Sequence, residues 1–194
     1  RRVARHVAGR AVGVVLTGGG GHGMAHLGAL RALEDAGVPV DVVGGTSRGA
    51  LVAALYAKYA STTHMLPGVK ELVGVLSSQR HLLTDLTLPV LSLFSGKALD
   101  KVLRRVLGHD TIEDLWLPFF CCSTNLTKGR LTTHTRGTVW KNVRSSMTTL
   151  GLLPPVVDEN NELQVDGGYL NPVPVDVMRQ TLSADIVIVI DVAD

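Results

Sequence analysis

A serine flanked by glycines, at the point where a strand-like segment meets a helix-like one, sets the strongest limit on the fold of this chain. The apolar run at residues 40–43 precedes Gly45-Thr46-Ser47-Arg48-Gly49, and a helical pattern at residues 50–56 follows it. A sharp strand-turn-helix junction lifts a serine Oγ clear of the backbone, and glycines on both sides remove the Cβ atoms that would obstruct the turn. Ser47 is therefore a candidate nucleophile, supported by Gly45 and Gly49.

A second glycine cluster lies upstream, between a buried-strand pattern at residues 12–17 and a helical pattern at residues 24–34. Four consecutive glycines leave backbone amides bare, as an anion-binding loop at a helix N-terminus requires. The cluster consists of Gly18, Gly19, Gly20 and Gly21, followed by His22 and Gly23.

Three interpretations of this loop compete. The spacing Gly18-x-Gly20-x-x-Gly23 fits a dinucleotide-binding fingerprint, but Asp41, the one acid inside the second strand, lies at the wrong end to reach a ribose. A P-loop is excluded because no Gly-Lys-Ser/Thr follows the glycines. The third interpretation is an oxyanion hole, in which glycine amides stabilise the negative oxygen of a tetrahedral intermediate, and it is the one that uses Ser47.

A carboxylate followed by two glycines, Asp166-Gly167-Gly168, ends a short strand-like segment near the C-terminus. An Asp-Gly-Gly sequence alone is most often a turn. Beside a candidate serine nucleophile, Asp166 becomes the better candidate base, because the histidines downstream of Ser47 lie in segments typical of surface or packing positions. These histidines are His64, His81, His109 and His134.

Taken together and in this order, the three elements resemble the patatin-like phospholipase family. The resemblance extends to residues 5–16, 112–118, 139–147 and 166–171, which look like the catalytic domain of the neuropathy target esterase (lysophospholipase) branch. It covers nearly the whole chain and is weakest over residues 62–83.

The resemblance implies a serine esterase that cleaves fatty-acyl esters of lysophospholipids or phospholipids. In this family a Ser-Asp dyad acts without histidine, which would make Ser47 and Asp166 the catalytic residues and Gly18, Gly19, Gly20 and Gly21 the oxyanion loop. The sequence shows no ligand cluster with metal spacing, so no metal or other cofactor is expected. The resemblance places the domain at the cytosolic face of a membrane, which in this branch is the endoplasmic reticulum. Two positions depart from the family pattern: His22 stands where Arg or Lys is usual, and Arg48 where a small or apolar residue is usual.

Two further functions stay open at this stage. One is a catalytically silent lipid-binding module in which Ser47 is unreactive, and the other is a nucleotide-binding α/β module that uses the glycine loop. The net charge of +2 is too small to indicate a nucleic-acid partner. The sequence does not indicate an oligomeric state.

Apolar strands near both ends of the chain, with helical patterns between them, predict a three-layer α/β/α domain with a mainly parallel sheet. A length of 194 residues suits a single domain, and the abrupt ends of the chain lead us to expect a catalytic domain cut from a longer protein. A helical pattern at residues 99–107 has Ser95 as a possible N-cap and Gly108 as a stop. Cys121 and Cys122 are adjacent in a strand-like run, so a disulfide between them is not expected.

Overall fold

The computed structural model describes residues 1–76, 85–87 and 92–192. Over these residues seven strands form one sheet. The strands are β1 (Val12–Leu16), β2 (Val42–Thr46), β3 (Phe119–Asn125), β4 (Arg130–His134), β5 (Val156–Val157), β6 (Leu163–Asp166) and β7 (Ile186–Ile190). The helices are α1 (Arg2–Val7), α2 (Ala25–Asp35), α3 (Arg48–Tyr59), α4 (Thr62–Leu76), α5 (Lys97–Leu107), α6 (Val139–Ser146) and α7 (Val175–Leu182). Short 3₁₀ turns lie at Gly20–Met24, Ile112–Asp114 and Gly167–Tyr169.

The sheet is mixed, and its parallel half carries the serine. Strands run in the order β5-β6-β3-β2-β1-β7, and β7, β1, β2 and β3 are parallel neighbours. Strands β4 and β6 both run antiparallel to β3.

Buried side chains form one apolar cluster that includes α3, α4 and α5 and a second that includes α7. Cys121 belongs to the first cluster and Cys122 to the second, so the two faces of β3 meet two different layers. The predicted α/β class with a mainly parallel sheet is confirmed.

Strand β3 brings two distant strands end to end. It pairs with β2 through residues 119–122, with β6 through residues 123–125 and with β4 through residues 121–125. Because the β4 pairing overlaps both of the others, β2 and β6 must share the opposite edge of β3. Strand β2 is parallel to β3 and β6 is antiparallel, so their carboxyl ends meet, with Thr46 opposite Cys122 and Asp166 opposite Ser123.

Several predicted boundaries shift. Strand β2 begins at Val42 rather than at residue 40, and it continues through Gly45 and Thr46, which pair with β3. Helix α5 begins at Lys97 with Gly96, at φ 75°, in the N-cap position, so the predicted cap at Ser95 is wrong. Gly108, at φ 74°, ends that helix as predicted. The two free cysteines are buried and unbridged.

The buried carboxylate of Asp41 lies at the amino end of the sheet. Its Oδ2 accepts hydrogen bonds from Arg5 Nε at 2.8 Å and from the Val12 amide at 3.0 Å. The Arg5 and Val12 bonds lower the pKa of Asp41 even though its burial acts to raise it. The Arg5 guanidinium therefore covers the Asp41 carboxylate at the amino end of the sheet. Asp41 is occupied far from the glycine loop, which is further reason against the dinucleotide interpretation.

Candidate active site

Ser47 occupies a strained turn between β2 and α3. Its backbone has φ 55° and ψ −129°, a region that non-glycine residues seldom adopt and that recurs at functional sites. The flanking glycines leave no space for a side chain: a Cβ on Gly45 or on Gly49 would lie 2.3 Å from the carbonyl oxygen of Leu16. The turn is thus pressed against the end of β1, which fixes where the Ser47 side chain emerges.

The side chains of Ser47 and Asp166 meet although 119 residues separate them. Ser47 Oγ donates to Asp166 Oδ2 at 2.6 Å, and the Gly168 amide donates to Asp166 Oδ1 at 2.8 Å. Gly167 packs on β3 so closely that a Cβ there would lie 2.3 Å from the Cys122 carbonyl oxygen. The contact expected between the serine hydroxyl and the carboxylate is present.

Burial changes the acidity of Asp166. The side chain is buried, and loss of solvation raises its pKa above the ordinary aspartate value, while the hydrogen bonds from Ser47 and Gly168 act in the opposite direction. A carboxylate with a raised pKa accepts a proton more readily. The pair can therefore perform general-base activation of a serine hydroxyl without an imidazole.

Residues at and just after the C-terminal end of α6 bind the backbone amides of Ser47 and Asp166. Ser146 Oγ accepts from the Ser47 amide at 2.9 Å, and the Thr148 carbonyl accepts from the Asp166 amide at 2.8 Å. Sequence reasoning assigned no role to Ser146, which lies in one of the segments that carry the family resemblance. In sequence Ser146 is a serine at the end of a helical pattern. This pattern is too common to indicate a functional residue.

The glycine loop passes directly over the serine. A Cβ on Gly18 would lie 3.3 Å from Ser47 Cβ and 3.9 Å from Ser47 Oγ. Among the described residues, the Gly18 and Gly19 amides have no hydrogen-bond acceptor. Gly20 and Gly21 begin the 3₁₀ turn, in which the exposed His22 donates its amide to Gly19 O at 2.8 Å. The loop therefore lies where oxyanion donors would be required, and the roles assigned to these glycines stay predictions.

The residue after the serine contributes to the same turn. Gly23 is buried against Arg48, and a Cβ on Gly23 would lie 2.7 Å from Arg48 Cβ. Arg48 is half-buried, and loss of solvation lowers its pKa. As the first residue of α3, Arg48 has a backbone amide without an intrahelical acceptor, so this amide faces the turn whatever its side chain is.

The downstream histidines are placed apart from this pair. His64 is exposed on α4 and His109 is exposed after α5, while His81 lies outside the described residues. His134 on β4 contacts Ser123 rather than Ser47, with 2.7 Å between its Nε2 and Ser123 Oγ. Ser123 Oγ also donates to Gln164 Oε1 at 2.7 Å, so His134 belongs to a polar network that links β4, β3 and β6.

We expect His134 to make folding stability depend on pH. Loss of solvation lowers its pKa to about 4, so the unfolded chain takes up a proton near pH 6.5 that the folded protein does not. The contribution of His134 to the free energy of unfolding should therefore be largest above pH 6.5. It should fall by about 2 kcal/mol between pH 7 and pH 5. Urea unfolding at pH 7, 6 and 5 measures this dependence.

The control variant is His134→Gln, which keeps an amide nitrogen near the position of Nε2 and does not titrate. Its unfolding free energy should be less dependent on pH over the same interval. Carboxylates lose their contribution mainly below pH 5, and His26, whose pKa burial also lowers, is unchanged in both proteins. Equal pH dependences for wild type and His134→Gln would contradict the assignment.

Within the described ranges, no group of three or more His, Cys, Asp or Glu side chains is arranged to hold a metal ion. In the same ranges, no helix has the length and apolar character needed to cross a membrane.

Comparison with known proteins identifies relatives over nearly the whole chain. Residues 14–179 match the family model described as patatin-like phospholipase. The chain is 44% identical over 191 residues to "Lysophospholipase nte1" of Aspergillus fumigatus, and 44% identical over 192 residues to "Patatin-like phospholipase domain-containing protein 6" of Homo sapiens. Each alignment covers 98% of this chain, but only 12% and 14% of those longer relatives.

A solved structure supports the fold separately. VipD from Legionella pneumophila superposes with a TM-score of 0.63 over 92% of this chain and 49% of its own, at 16% identity. At that identity the likeness concerns the fold alone. The family match spans both the turn at Ser47 and the carboxylate at Asp166, and the chain belongs to the patatin-like phospholipase family.

Proposed function

We propose that this protein is a serine carboxylic-ester hydrolase that cleaves fatty-acyl esters of lysophospholipids or phospholipids. The observation that carries the proposal is the 2.6 Å contact between Ser47 Oγ and the buried carboxylate of Asp166, beneath a loop of bare glycine amides. The name lysophospholipase borne by relatives that are 44% identical supports the choice of substrate class.

In the first half-reaction Asp166 Oδ2 accepts the hydroxyl proton of Ser47 as Oγ bonds to the ester carbonyl carbon. The carbonyl oxygen becomes an oxyanion. Amides of the loop glycines donate hydrogen bonds to it, and the candidate donors are Gly18, Gly19, Gly20 and Gly21. The intermediate then collapses, the bond to the glycerol oxygen breaks, and that oxygen takes the proton from Asp166. The products are an acyl-enzyme and the released alcohol.

In the second half-reaction a water molecule gives a proton to Asp166 and its oxygen attacks the acyl carbonyl carbon. Collapse of this second intermediate breaks the bond to Ser47 Oγ, which recovers its proton from Asp166 and releases the fatty acid. Each proton that leaves a nucleophile goes to the one carboxylate, so this mechanism requires neither histidine nor a cofactor.

We further propose that the chain is a single catalytic domain that acts at a membrane surface, at the cytosolic face of the endoplasmic reticulum in the full-length protein. Support comes from an apolar rim near the dyad, defined by Leu93, Leu150, Leu152, Tyr169 and Leu170, each 42–51% exposed. The Leu93 amide donates to Gly151 O at 2.8 Å and the Leu150 amide to Tyr169 Oη at 2.9 Å, so the three segments adjoin one another. Tyr169 and Leu170 follow Asp166 by three and four residues.

Replacing two leucines of the apolar rim should weaken binding to lipid. Leu150→Ser with Leu152→Ser is expected to raise the Kd for phosphatidylcholine vesicles about tenfold, because inserting two partly exposed leucines is worth about 1–2 kcal/mol. Vesicle flotation with a Ser47→Ala background measures binding without turnover. Val7→Ser, which removes an 85% exposed apolar side chain at the opposite end of the sheet, is the control. Equal binding of all three proteins would refute the rim as the lipid contact.

A fluorophosphonate probe tests the enzymatic proposal. A polarised serine beside an oxyanion hole reacts rapidly with this probe, so we expect labelling at Ser47, together with release of fatty acid from lysophosphatidylcholine. A folded protein that binds lipid but is not labelled would be a silent lipid-binding module. A protein that is stabilised by NAD or ATP and is not labelled would instead be a nucleotide-binding module.

A further inference from the structure

A fully buried histidine lies beneath the glycine loop. His26, on the first turn of α2, has no exposed surface, and its Nε2 is 2.9 Å from the carbonyl oxygen of Thr17. Because a carbonyl oxygen can only accept, Nε2 must carry the proton. Loss of solvation lowers the pKa of His26, which keeps the ring neutral, and within the described part of the chain Nδ1 has no hydrogen-bond partner. Burying an imidazole costs free energy, and the contact with Thr17 is the one hydrogen bond that the His26 ring makes to the described residues.

Thr17 is held on every polar atom. Its amide donates to Ile190 O at 3.2 Å, and its Oγ1 donates to Asp191 at 2.8 Å and accepts from the Val192 amide at 3.3 Å. Its carbonyl oxygen accepts from His26. The same oxygen lies close to the start of α3, since a Cβ on Gly49 would be 2.4 Å from it. Thr17 is therefore a fixed point from which the glycine loop departs.

The peptide that joins Thr17 to Gly18 links this anchor to the loop. In a planar trans peptide the carbonyl and the following N–H point in opposite directions. When the Thr17 carbonyl is turned toward His26, the Gly18 N–H must be directed away from α2. Gly18 is the loop residue that lies against Ser47, and its amide has no acceptor among the described residues.

We propose that His26 is a positioning residue, which sets the direction of the Gly18 N–H by holding the Thr17 carbonyl and thereby presents that amide to the oxyanion of the reaction. The inference rests on the proposed esterase function. An unanchored peptide at this position would be free to rotate, because the following residue is glycine and adopts most backbone angles without strain. A well-aimed donor is worth roughly a hundredfold or more in kcat.

Two substitutions at His26 separate the hydrogen bond from the volume of the ring. His26→Leu fills similar space without a donor, and is expected to lower kcat on a water-soluble short-chain ester by about 10-fold to 100-fold with KM little changed. His26→Gln places an amide N–H where Nε2 stands, and should recover kcat to within about fivefold of wild type. Leu30→Val, a core change one turn further along α2, should alter thermal stability and leave kcat unchanged.

A second measurement does not depend on turnover. In amide NMR spectra the Gly18 resonance should shift in His26→Leu, return toward its wild-type position in His26→Gln, and stay in place in Leu30→Val. An unchanged Gly18 resonance or a His26→Leu kcat within twofold of wild type would overturn the positioning role, as would equal losses of kcat for Leu and Gln. If the wild-type protein hydrolysed no ester, the proposed function would fail, and the Gly18 resonance would still decide whether His26 orients this peptide.

Discussion

Ser47→Ala and Asp166→Asn are each expected to lower kcat/KM for lysophosphatidylcholine and for a soluble ester by about a thousandfold or more. Asp166→Asn keeps an oxygen that can accept a hydrogen bond from Ser47 Oγ, but an amide cannot take the proton, so the variant removes basicity and preserves the geometry. Since the two residues would act as one unit, the double variant should be little worse than either single variant. Steady-state kinetics and probe labelling of all three proteins measure this.

The matched control is Asp176→Asn, which neutralises an exposed carboxylate on α7 that contacts Asn171 rather than Ser47. It should retain wild-type turnover, and circular dichroism should show all the variants folded. An Asp166→Asn protein that kept more than about a tenth of the wild-type turnover would disprove the Ser-Asp assignment, and a histidine base would then have to be sought.

Gly49→Ala should damage both the fold and the activity. The added Cβ would lie 2.3 Å from Leu16 O and 2.4 Å from Thr17 O, and backbone atoms at the end of β1 cannot move aside as a flexible side chain would. Helix α3 would have to shift, carrying Ser47 with it. We expect the free energy of unfolding to fall by about 3 kcal/mol. Turnover should fall about a hundredfold, because an ångström of misplacement at a reacting group has that effect.

The companion variant is Gly28→Ala on α2, where an added Cβ would meet no atom within 4 Å. Alanine is the better helix former, so this variant should gain about 0.5–1 kcal/mol and keep its turnover. Urea unfolding and ester kinetics measure the two variants side by side. A Gly49→Ala protein as stable and as active as wild type would show that α3 does not need its close approach to β1.

Much of the fold follows from short-range patterns that the sequence displays directly. Alternation of apolar runs with helical spacing located β1 and α2 within one residue and β2 and α3 within about three, because each pattern reflects which face of one element is buried. Ser95 was assigned wrongly as a cap because a Ser before an apolar helix is the common arrangement. Here Gly96 occupies the cap position, and the Ser95 hydroxyl one residue earlier contacts Asp85 and accepts from the Lys97 amide at 3.3 Å.

Residues with no local pattern escaped prediction. Ser146 matters because its Oγ faces the Ser47 amide, and His26 because its ring is buried against Thr17. A serine at the end of a helix and a histidine within one have the same appearance in sequence whether they face solvent or a reacting group. Their roles depend on what tertiary packing places opposite them.

The sequence by itself determined the strand-turn-helix at Ser47, the bare amides of the glycine loop and the carboxylate at the end of β6, since each depends on residues adjacent in the chain. Tertiary structure alone decided that Ser47 and Asp166 touch. Strands β2 and β6 approach each other end to end along one edge of β3, and no local pattern specifies which strand pairs with which or in what register. The strand register is set by which side chains each face of the sheet buries. A one-residue slip of β6 would move every one of its side chains to the opposite face and point Asp166 away from Ser47.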